Sequence, residues 1–187
     1  MIAVFFGPPG AGKGTQAKFI ANFLNLLHLS TGDILRDQLK IENTLTIKLR
    51  KIMQDGQLVS DEIVNQIVSD RIVKTDCNKG FIFDGYPRTL TQAIYINNFF
   101  SNNNLKYDYI FEICLEHEFI IERIKNRAAL EKRTDDSVEV IKERIKEYKN
   151  QTLPVLQKFK NEYSKIYHKR DGNQEIEKIN SLLMSFF

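Results

Sequence analysis

The segment GPPGAGKGT, residues 7–15, has the composition of a phosphate-binding loop. Closely spaced glycines let a backbone turn tightly and direct its N–H groups inward, and Lys13 adds a mobile positive charge suited to nucleotide phosphates. The apolar run IAVFF precedes the loop and a helical pattern follows it, so the positive end of a helix dipole would also face the anion. These residues predict a nucleotide site.

The loop departs from the common pattern at one position. Ser or Thr usually follows the lysine directly and its hydroxyl binds Mg²⁺, but here Gly14 follows Lys13 and the hydroxyl comes later, at Thr15. A carboxylate is available elsewhere, because Asp84 ends the apolar run FIFD, which we expect to lie beside the first strand. Next to bound phosphates, Asp84 suits a hydrated Mg²⁺ ion.

Six arginines belong to segments that we expect near the carboxyl edge of a sheet or in a polar insert: Arg36, Arg88, Arg123, Arg127, Arg133 and Arg144. Helical arginines are often only solvated partners of Asp or Glu, and the segments EKRTDD and KERIKEYK fit that description. Phosphoryl transfer, however, needs mainly alignment and neutralisation of phosphate oxygens, without a protein nucleophile. A set of arginines supplies both.

These residues are positioned by alternating strands and helices. Strands are predicted at Ile2–Phe6 and within LLHLST, GFIFDG, YIFEICL and KIYHKRDG. Helices are predicted at Gly14–Leu24, Gly32–Lys40, Thr44–Asp55, Ser60–Thr75, Arg88–Phe100, Glu116–Lys125, Ser137–Tyr163 and Glu175–Phe186. This order predicts an α/β three-layer fold, with a parallel sheet of about five strands covered by helices on both faces and ligands at its carboxyl edge.

Two segments interrupt the alternation, and both are candidates for mobile parts. We therefore predict one domain over 1–187, whose core comprises residues 1–29, 60–125 and 137–187. The mobile parts are an insert at residues 30–59 and a short polar segment at residues 126–136.

The composition argues against several classes of protein. A net charge of +3 over 187 residues gives no concentrated basic patch for nucleic acid. No run is long enough for a membrane helix, and no basic region precedes the apolar start as in a signal peptide. Cys77 and Cys114 have no C-x-x-C spacing, so neither zinc nor a disulfide is expected, and the chain is predicted to be cytoplasmic. It has no apolar stripe to spare, which favours a monomer.

The remaining conspicuous side chains are predicted to have no role in chemistry. The three histidines, His28, His117 and His168, lack metal-binding spacing. Phe186 and Phe187 are interpreted as packing residues or a frayed end.

Over essentially the whole chain, these motifs resemble those of the nucleoside monophosphate kinases, and specifically the adenylate kinases. GPPGAGKGTQA resembles that family's phosphate loop, which has Gly and then Thr after the lysine. The resemblance implies that phosphates and water hold Mg²⁺, with Asp84 behind the water, and that Thr15 reaches a phosphate oxygen. It places ATP at Gly10, Ala11, Gly12, Lys13, Gly14 and Thr15.

Three further segments, STGDILR, DGQLVSDEIV and FDGYPRTLTQA, resemble the family's AMP-binding segments. By that resemblance, residues 30–59 are an AMP-binding insert, Thr31 lies near adenine, Arg36 binds the AMP phosphate and Gln92 reads the adenine edge. The other AMP contacts implied are Met53, Gln57, Leu58, Val59, Gly85, Tyr86, Pro87 and Arg88. The lysine that the family often has in place of Gln57 is missing.

RIKNR and RTDD match the borders of the family's lid. The resemblance places Arg123 and Arg127 on ATP, Arg133 and Arg144 between donor and acceptor phosphates, and the Gln174 carbonyl at ATP's adenine. The catalytic set is then Lys13, Arg88, Arg123, Arg133 and Arg144. Few residues separate Arg127 from Arg133, so a long zinc-binding lid does not fit, and we expect the short-lid type without zinc.

The reaction implied by this resemblance is Mg-ATP + AMP ⇌ 2 ADP, with ATP, AMP and ADP as the only partners expected. One alternative is a UMP/CMP kinase of the same fold, although such enzymes resemble SAGD and PRN patterns where this chain has Thr31 and Gln92. A more distant alternative is a nucleotide-binding module with no acceptor pocket.

Overall fold

A five-stranded, all-parallel sheet in the order β2-β3-β1-β4-β5 forms the centre of the molecule. In this computed structural model, residues 1–40, 44–116, 118–124 and 137–187 are described. The strands are β1 (Ile2–Phe6), β2 (Leu27–Ser30), β3 (Phe81–Asp84), β4 (Tyr109–Cys114) and β5 (Tyr167–Asp171). All four pairs of neighbouring strands are parallel, and helices connect them, so the predicted parallel α/β architecture is confirmed.

Helices fill every connection between the strands. They are α1 (Lys13–Leu24), α2 (Thr31–Gln38), α3 (Thr44–Gln54), α4 (Asp61–Ile72), α5 (Leu90–Asn102), α6 (118–124), α7 (Val138–Glu147), α8 (Leu153–Glu162) and α9 (Ile176–Met184). A short 3₁₀ helix lies at Thr75–Cys77. Most predicted bounds differ from these by one to three residues, as helix ends commonly do.

The central strand shows why the fold has three layers. Ile2, Val4 and Phe6 point to one face and pack with residues of α4, α5 and α8. Ala3 and Phe5 point to the other face and pack with residues of α1 and α9. Because strand side chains alternate between faces, a strand that is apolar at every position must be covered on both sides.

The predicted helix Ser137–Tyr163 is wrong as a single element. A π-helical turn at Tyr148–Thr152 separates α7 from α8. Pro154 lies in the first turn of α8; it has no N–H, and its ring conflicts with an ordinary helical carbonyl four residues earlier, at Asn150. The wider π turn before Pro154 accommodates this conflict.

Two predicted helix starts behave differently. Ser30 caps α2, because its hydroxyl accepts a hydrogen bond of 3.3 Å from the Asp33 N–H, and the helix begins at Thr31 rather than Gly32. Ser60 stands at the start of α4, but its side chain makes no capping hydrogen bond. Asp61 and Glu62 still place negative charge at the positive end of α4.

The predicted lid, residues 126–136, lies outside the described residues, and so do His117 and residues 41–43 of the predicted insert. Cys77 and Cys114 are free thiols. Across the described ranges, no helix combines the length and apolar character needed to cross a membrane.

Candidate functional site

The carboxyl edge of the sheet opens into a cavity of about 1330 Å³. Every predicted site residue within the described ranges lines it. These residues are Gly10, Ala11, Gly12, Lys13, Gly14, Thr15, Thr31, Arg36, Met53, Gln57, Leu58, Val59, Asp84, Gly85, Tyr86, Pro87, Arg88, Gln92, Arg123, Arg144 and Gln174. Arg127 and Arg133 lie outside the described residues.

The phosphate loop connects β1 to α1 along the cavity wall. Gly10 and Gly12 have φ of +80° and +88°, a left-handed conformation that favours glycine. The Lys13 ammonium donates to the Pro8 carbonyl at 2.9 Å, so the side chain folds back over the loop. Gly10 lies against α6, where an added Cβ would come within 3.0 Å of Ile124 Cγ1. The loop therefore packs directly against α6, whose Arg123 lines the cavity.

Gly14 is required for a different reason from the other loop glycines. It has ordinary helical geometry within α1, so its φ does not demand glycine. A Cβ at this position, however, would lie 3.0 Å from Asp84 Oδ2. The missing side chain therefore lets a carboxylate approach the loop where other phosphate loops have Ser or Thr, which gives the unusual sequence a geometric explanation.

Asp84 ends β3, which lies beside β1 as the sequence predicted, and the parallel register pairs it with Phe5. Its carboxylate is 15% exposed, and the Nε2 atom of His28 lies 3.4 Å from Asp84 Oδ2. Burial would raise the pKa of Asp84, but the contact with His28 and the positive charges of Lys13 and Arg88 outweigh it and hold the pKa below its ordinary value.

His28 is a site residue that the sequence analysis missed. It lies on β2, lines the cavity and contacts Asp84, although it had been assigned no role. The spacing of histidines along the sequence, which was judged against metal-binding patterns, does not reveal such a contact. Two residues on parallel, neighbouring strands meet through the register, here His28 opposite Ile82, and the sequence does not give that register.

Gly85 connects two predicted AMP-binding residues through its carbonyl oxygen. Thr31 Oγ1 and Arg88 Nε each donate to that oxygen at 2.8 Å. The residue has φ +78°, and an added Cβ would lie 2.6 Å from an Arg88 guanidinium nitrogen. Only glycine therefore permits this arrangement of Thr31 and Arg88.

Three arginines surround one end of the cavity. Burial lowers the pKa of the Arg88 guanidinium, the nearby charge of Asp84 raises it, and the charges of Arg144 and Arg36 lower it further. Arg36 is held by an ion pair with Asp33. Arg144 lies on α7, where Gly56 of the insert packs so closely that a Cβ would be 3.3 Å from Arg144 Cγ. Concentrated positive charge of this kind suits phosphate groups.

Gln92 and Tyr86 line the cavity with their polar groups already engaged. The Gln92 side-chain oxygen accepts from the Arg88 N–H at 2.7 Å, and its amide nitrogen donates to Asp61 Oδ1 at 2.8 Å. The buried Tyr86 hydroxyl donates to Asn65 Oδ1 at 2.7 Å. Gln92 is 2% exposed, so its orientation is set by the protein.

The cavity wall formed by α1, α9 and the turn before α9 carries amide groups that the sequence analysis did not identify, apart from Gln174. The Gln16 amide nitrogen donates to the Ile176 carbonyl at 3.2 Å and so joins α1 to α9. The side-chain oxygens of Gln16, Gln174 and Asn180 are buried, and no donor in the described part of the chain reaches them. A base with an exocyclic amine would supply such donors.

Metal binding at this site rests on few protein groups. No cluster of three or more His, Cys, Asp or Glu residues suited to a metal ion occurs within residues 1–40, 44–116, 118–124 and 137–187. The Asp84 carboxylate beside the phosphate loop fits Mg²⁺ all the same. This ion prefers oxygen ligands, keeps several waters and is commonly held by one or two carboxylates together with substrate phosphates.

Comparison with known families and proteins agrees with this geometry. The family model described as adenylate kinase matches residues 5–164. This range contains the phosphate loop, the FDGYPR segment and the arginines, and leaves out Gln174.

Several curated proteins named adenylate kinase are similar along most of their length. One from Bartonella tribocorum is 41% identical over 100% of this chain and 99% of its own, and one from Sinorhizobium medicae is 42% identical over 85% and 86%. A third, from Buchnera aphidicola, is 36% identical over 98% and 93%. Nothing in these comparisons favours the UMP/CMP kinase alternative. The chain belongs to the adenylate kinase family, whose members are phosphotransferases.

Proposed function

We propose that this chain catalyses the reversible transfer of the terminal phosphoryl group of Mg-ATP to AMP, giving two ADP. The observation that carries the proposal is that the phosphate loop and the arginine cluster line one and the same cavity. Its volume of about 1330 Å³ exceeds the roughly 300–1,000 Å³ typical of a site for one small ligand. There is room for a donor and an acceptor nucleotide together.

On the donor side, the loop amides of residues 10–15 and Lys13 hold the ATP phosphates, with Arg123 and Arg127 as further phosphate ligands. ATP's base lies toward Gln174, where the Gly172 turn packs against the loop and a Cβ would be 3.0 Å from the Ala11 carbonyl. The helix N-terminus and the lysine together bind the anionic phosphates. Phosphoryl transfer from the bound ATP then requires no protein nucleophile.

On the acceptor side, Arg36 and Arg88 bind the AMP phosphate, and Thr31 and Gln92 lie at its adenine. The remaining contacts come from Met53, Gln57, Leu58, Val59, Gly85, Tyr86 and Pro87. Arg133 and Arg144 neutralise charge between the two nucleotides. The acceptor is already a phosphate anion, so no general base is required, and alignment with charge neutralisation supplies the catalysis.

Asp84 would hold Mg²⁺ through water, and the ion would neutralise the charge of the ATP phosphates when bound. The short lid and the insert would close over the substrates and exclude water, which otherwise competes as acceptor. We further propose that the protein works as a cytoplasmic monomer in adenylate energy homeostasis.

An acceptor panel tests the function. Purified protein is mixed with Mg-ATP and, separately, with AMP, GMP, CMP, UMP or dTMP, and the nucleotides are separated over time. We expect ADP to accumulate only in the mixture that contains AMP together with Mg-ATP. Preferential use of CMP or UMP would keep the fold and the donor site but overturn the acceptor assignment. Bound ATP with no transfer to any acceptor would contradict the proposal as a whole.

A further inference from the structure

Asp61, the first residue of α4, is hydrogen-bonded to the side chain of Gln92. Asp61 Oδ1 accepts from Gln92 Nε2 at 2.8 Å, and Asp61 Oδ2 accepts from the Thr89 hydroxyl at 2.9 Å. The Thr89 hydroxyl in turn caps α5 by accepting from the Gln92 N–H at 3.1 Å. Gln92 lines the nucleotide cavity, whereas Asp61 lines a smaller neighbouring one. Asp61 therefore reaches the site through Gln92.

The chemistry of the two neighbours dictates which way the Gln92 amide faces. A carboxylate only accepts hydrogen bonds, so the side of the amide at Asp61 must carry the NH₂ group. A backbone N–H only donates, so the side at Arg88 must carry the oxygen, which is 2.7 Å away. Both neighbours impose the same orientation, and a flipped amide would face an acceptor with an acceptor and a donor with a donor.

The oriented amide still has one N–H and one oxygen lone pair unused. The Watson–Crick edge of adenine offers an acceptor, N1, beside a donor, the exocyclic amine, and so complements a donor next to an acceptor. Guanine carries the opposite pattern on that edge, an N1–H donor beside the O6 acceptor. An amide that cannot flip therefore suits adenine and mismatches guanine.

We propose that Asp61 is a positioning residue that fixes the Gln92 amide in the orientation selecting AMP over GMP. This inference rests on the proposed function, because it needs AMP in the acceptor site. The Arg88 N–H supports the same orientation, so the loss of Asp61 weakens the selection without reversing it.

The first test is Asp61→Ala, with Glu62→Ala as the matched control. Glu62 is the neighbouring acid in the first turn of α4 and is exposed, so its removal changes the helix-end charge equally. For Asp61→Ala we expect kcat/KM for AMP to fall about tenfold, the effect of losing one charge-assisted hydrogen bond. The KM for ATP and the inhibition constant for GMP should change less than about twofold, and Glu62→Ala should resemble the wild type.

A double-mutant cycle with Gln92→Ala tests whether Asp61 acts through Gln92. Once Gln92 is removed, the further change Asp61→Ala should alter kcat/KM for AMP by less than about twofold. Asp61→Asn is the conservative variant, because its amide oxygen can still accept from Gln92 while its nitrogen faces Thr89. It should fold and recover most of the preference for AMP over GMP.

Four results would overturn the inference. The first three are equal losses of AMP and ATP use in Asp61→Ala, effects of Asp61 and Gln92 that simply add, and an Asp61→Asn variant that has lost AMP selection while its ATP use is normal. If the wild type transferred no phosphoryl group to AMP, the proposed function would fall, and this inference with it. Normal AMP use in both the wild type and Asp61→Ala would overturn this inference alone.

Discussion

At the scale of single residues, Asp84 approaches the phosphate loop at Gly14, where no side chain stands between them. Alanine at position 14 would place a Cβ 3.0 Å from Asp84 Oδ2. Gly14 is the second residue of α1 and its φ is not in the left-handed region, so the backbone there accepts alanine. The mutation Gly14→Ala should therefore affect turnover while leaving the stability of the fold nearly unchanged.

For Gly14→Ala we expect thermal stability close to that of the wild type and a turnover lower by roughly tenfold or more, because displaced groups in an aligned site are costly. Calorimetry and a coupled ADP assay measure the two quantities. A normal turnover number would show that the carboxylate need not approach the loop so closely.

Lys13 is the phosphate-loop residue whose charge we propose to act on the ATP phosphates, and its side chain lines the cavity. Replacing it with alanine should lower kcat on the order of a thousandfold, because the charge proposed to stabilise the transition state is lost. Lys74→Ala, an exposed lysine beyond α4, serves as the control. Steady-state kinetics with Mg-ATP and AMP check the prediction, and a Lys13→Ala variant with nearly normal turnover would contradict the site.

At the scale of elements, an ion pair joins the end of α4 to the following 3₁₀ helix. The Arg71 guanidinium donates to both carboxylate oxygens of Asp76, at 2.8 and 2.7 Å. The hydrogen bond from Arg71 holds the pKa of Asp76 below its ordinary value of 3.8. A lowered pKa in the folded state stabilises the protein above the unfolded value, and that stability disappears as pH falls through the folded value.

We therefore expect Asp76→Asn to be slightly less stable than the wild type at pH 7, and the two proteins to converge as the pH falls below about 4. Urea unfolding between pH 7 and pH 2.5 measures the difference. The pair Asp37–Lys40 gives a matched control, because both of its side chains are about 70% exposed or more and Asp37→Asn should have no measurable effect. A pH-independent difference for Asp76→Asn would exclude the ion pair as its cause.

At the scale of the whole molecule, the two thiols report on the integrity of the fold. Cys77 is 5% exposed, and burial raises its pKa. Burial and the nearby Glu112 raise the pKa of Cys114 to about 12. At pH 8, a thiol with such a pKa is ionised in roughly one molecule in ten thousand, and thiolates are the reactive form.

Native protein at pH 8 should accordingly resist iodoacetamide at both cysteines, and both should react once urea unfolds the chain. Mass spectrometry of labelled peptides follows each site separately. Rapid labelling of Cys114 under native conditions would mean that β4 opens without global unfolding.

Much of this fold is visible in the sequence because its signals are local. IAVFF is apolar at every position, which requires a strand covered on both faces, and the glycines and lysine that follow define a phosphate loop without reference to any distant residue. The position of Asp84 beside β1 was also predicted, because strand-helix alternation allows few topologies. The break at Tyr148–Thr152 was not predicted, because Pro154, the local signal for it, was included in one long predicted helix.

The sequence by itself thus determined the layer architecture, the phosphate loop and the set of candidate side chains, all of which depend on residue type and short-range spacing. Only the tertiary structure decided which side chains meet. The contact of His28 with Asp84, the space above Gly14 and the orientation of Gln92 by Asp61 each join residues far apart in the chain. Such contacts follow from strand register and helix packing, which arise from the whole core and are encoded in no single segment.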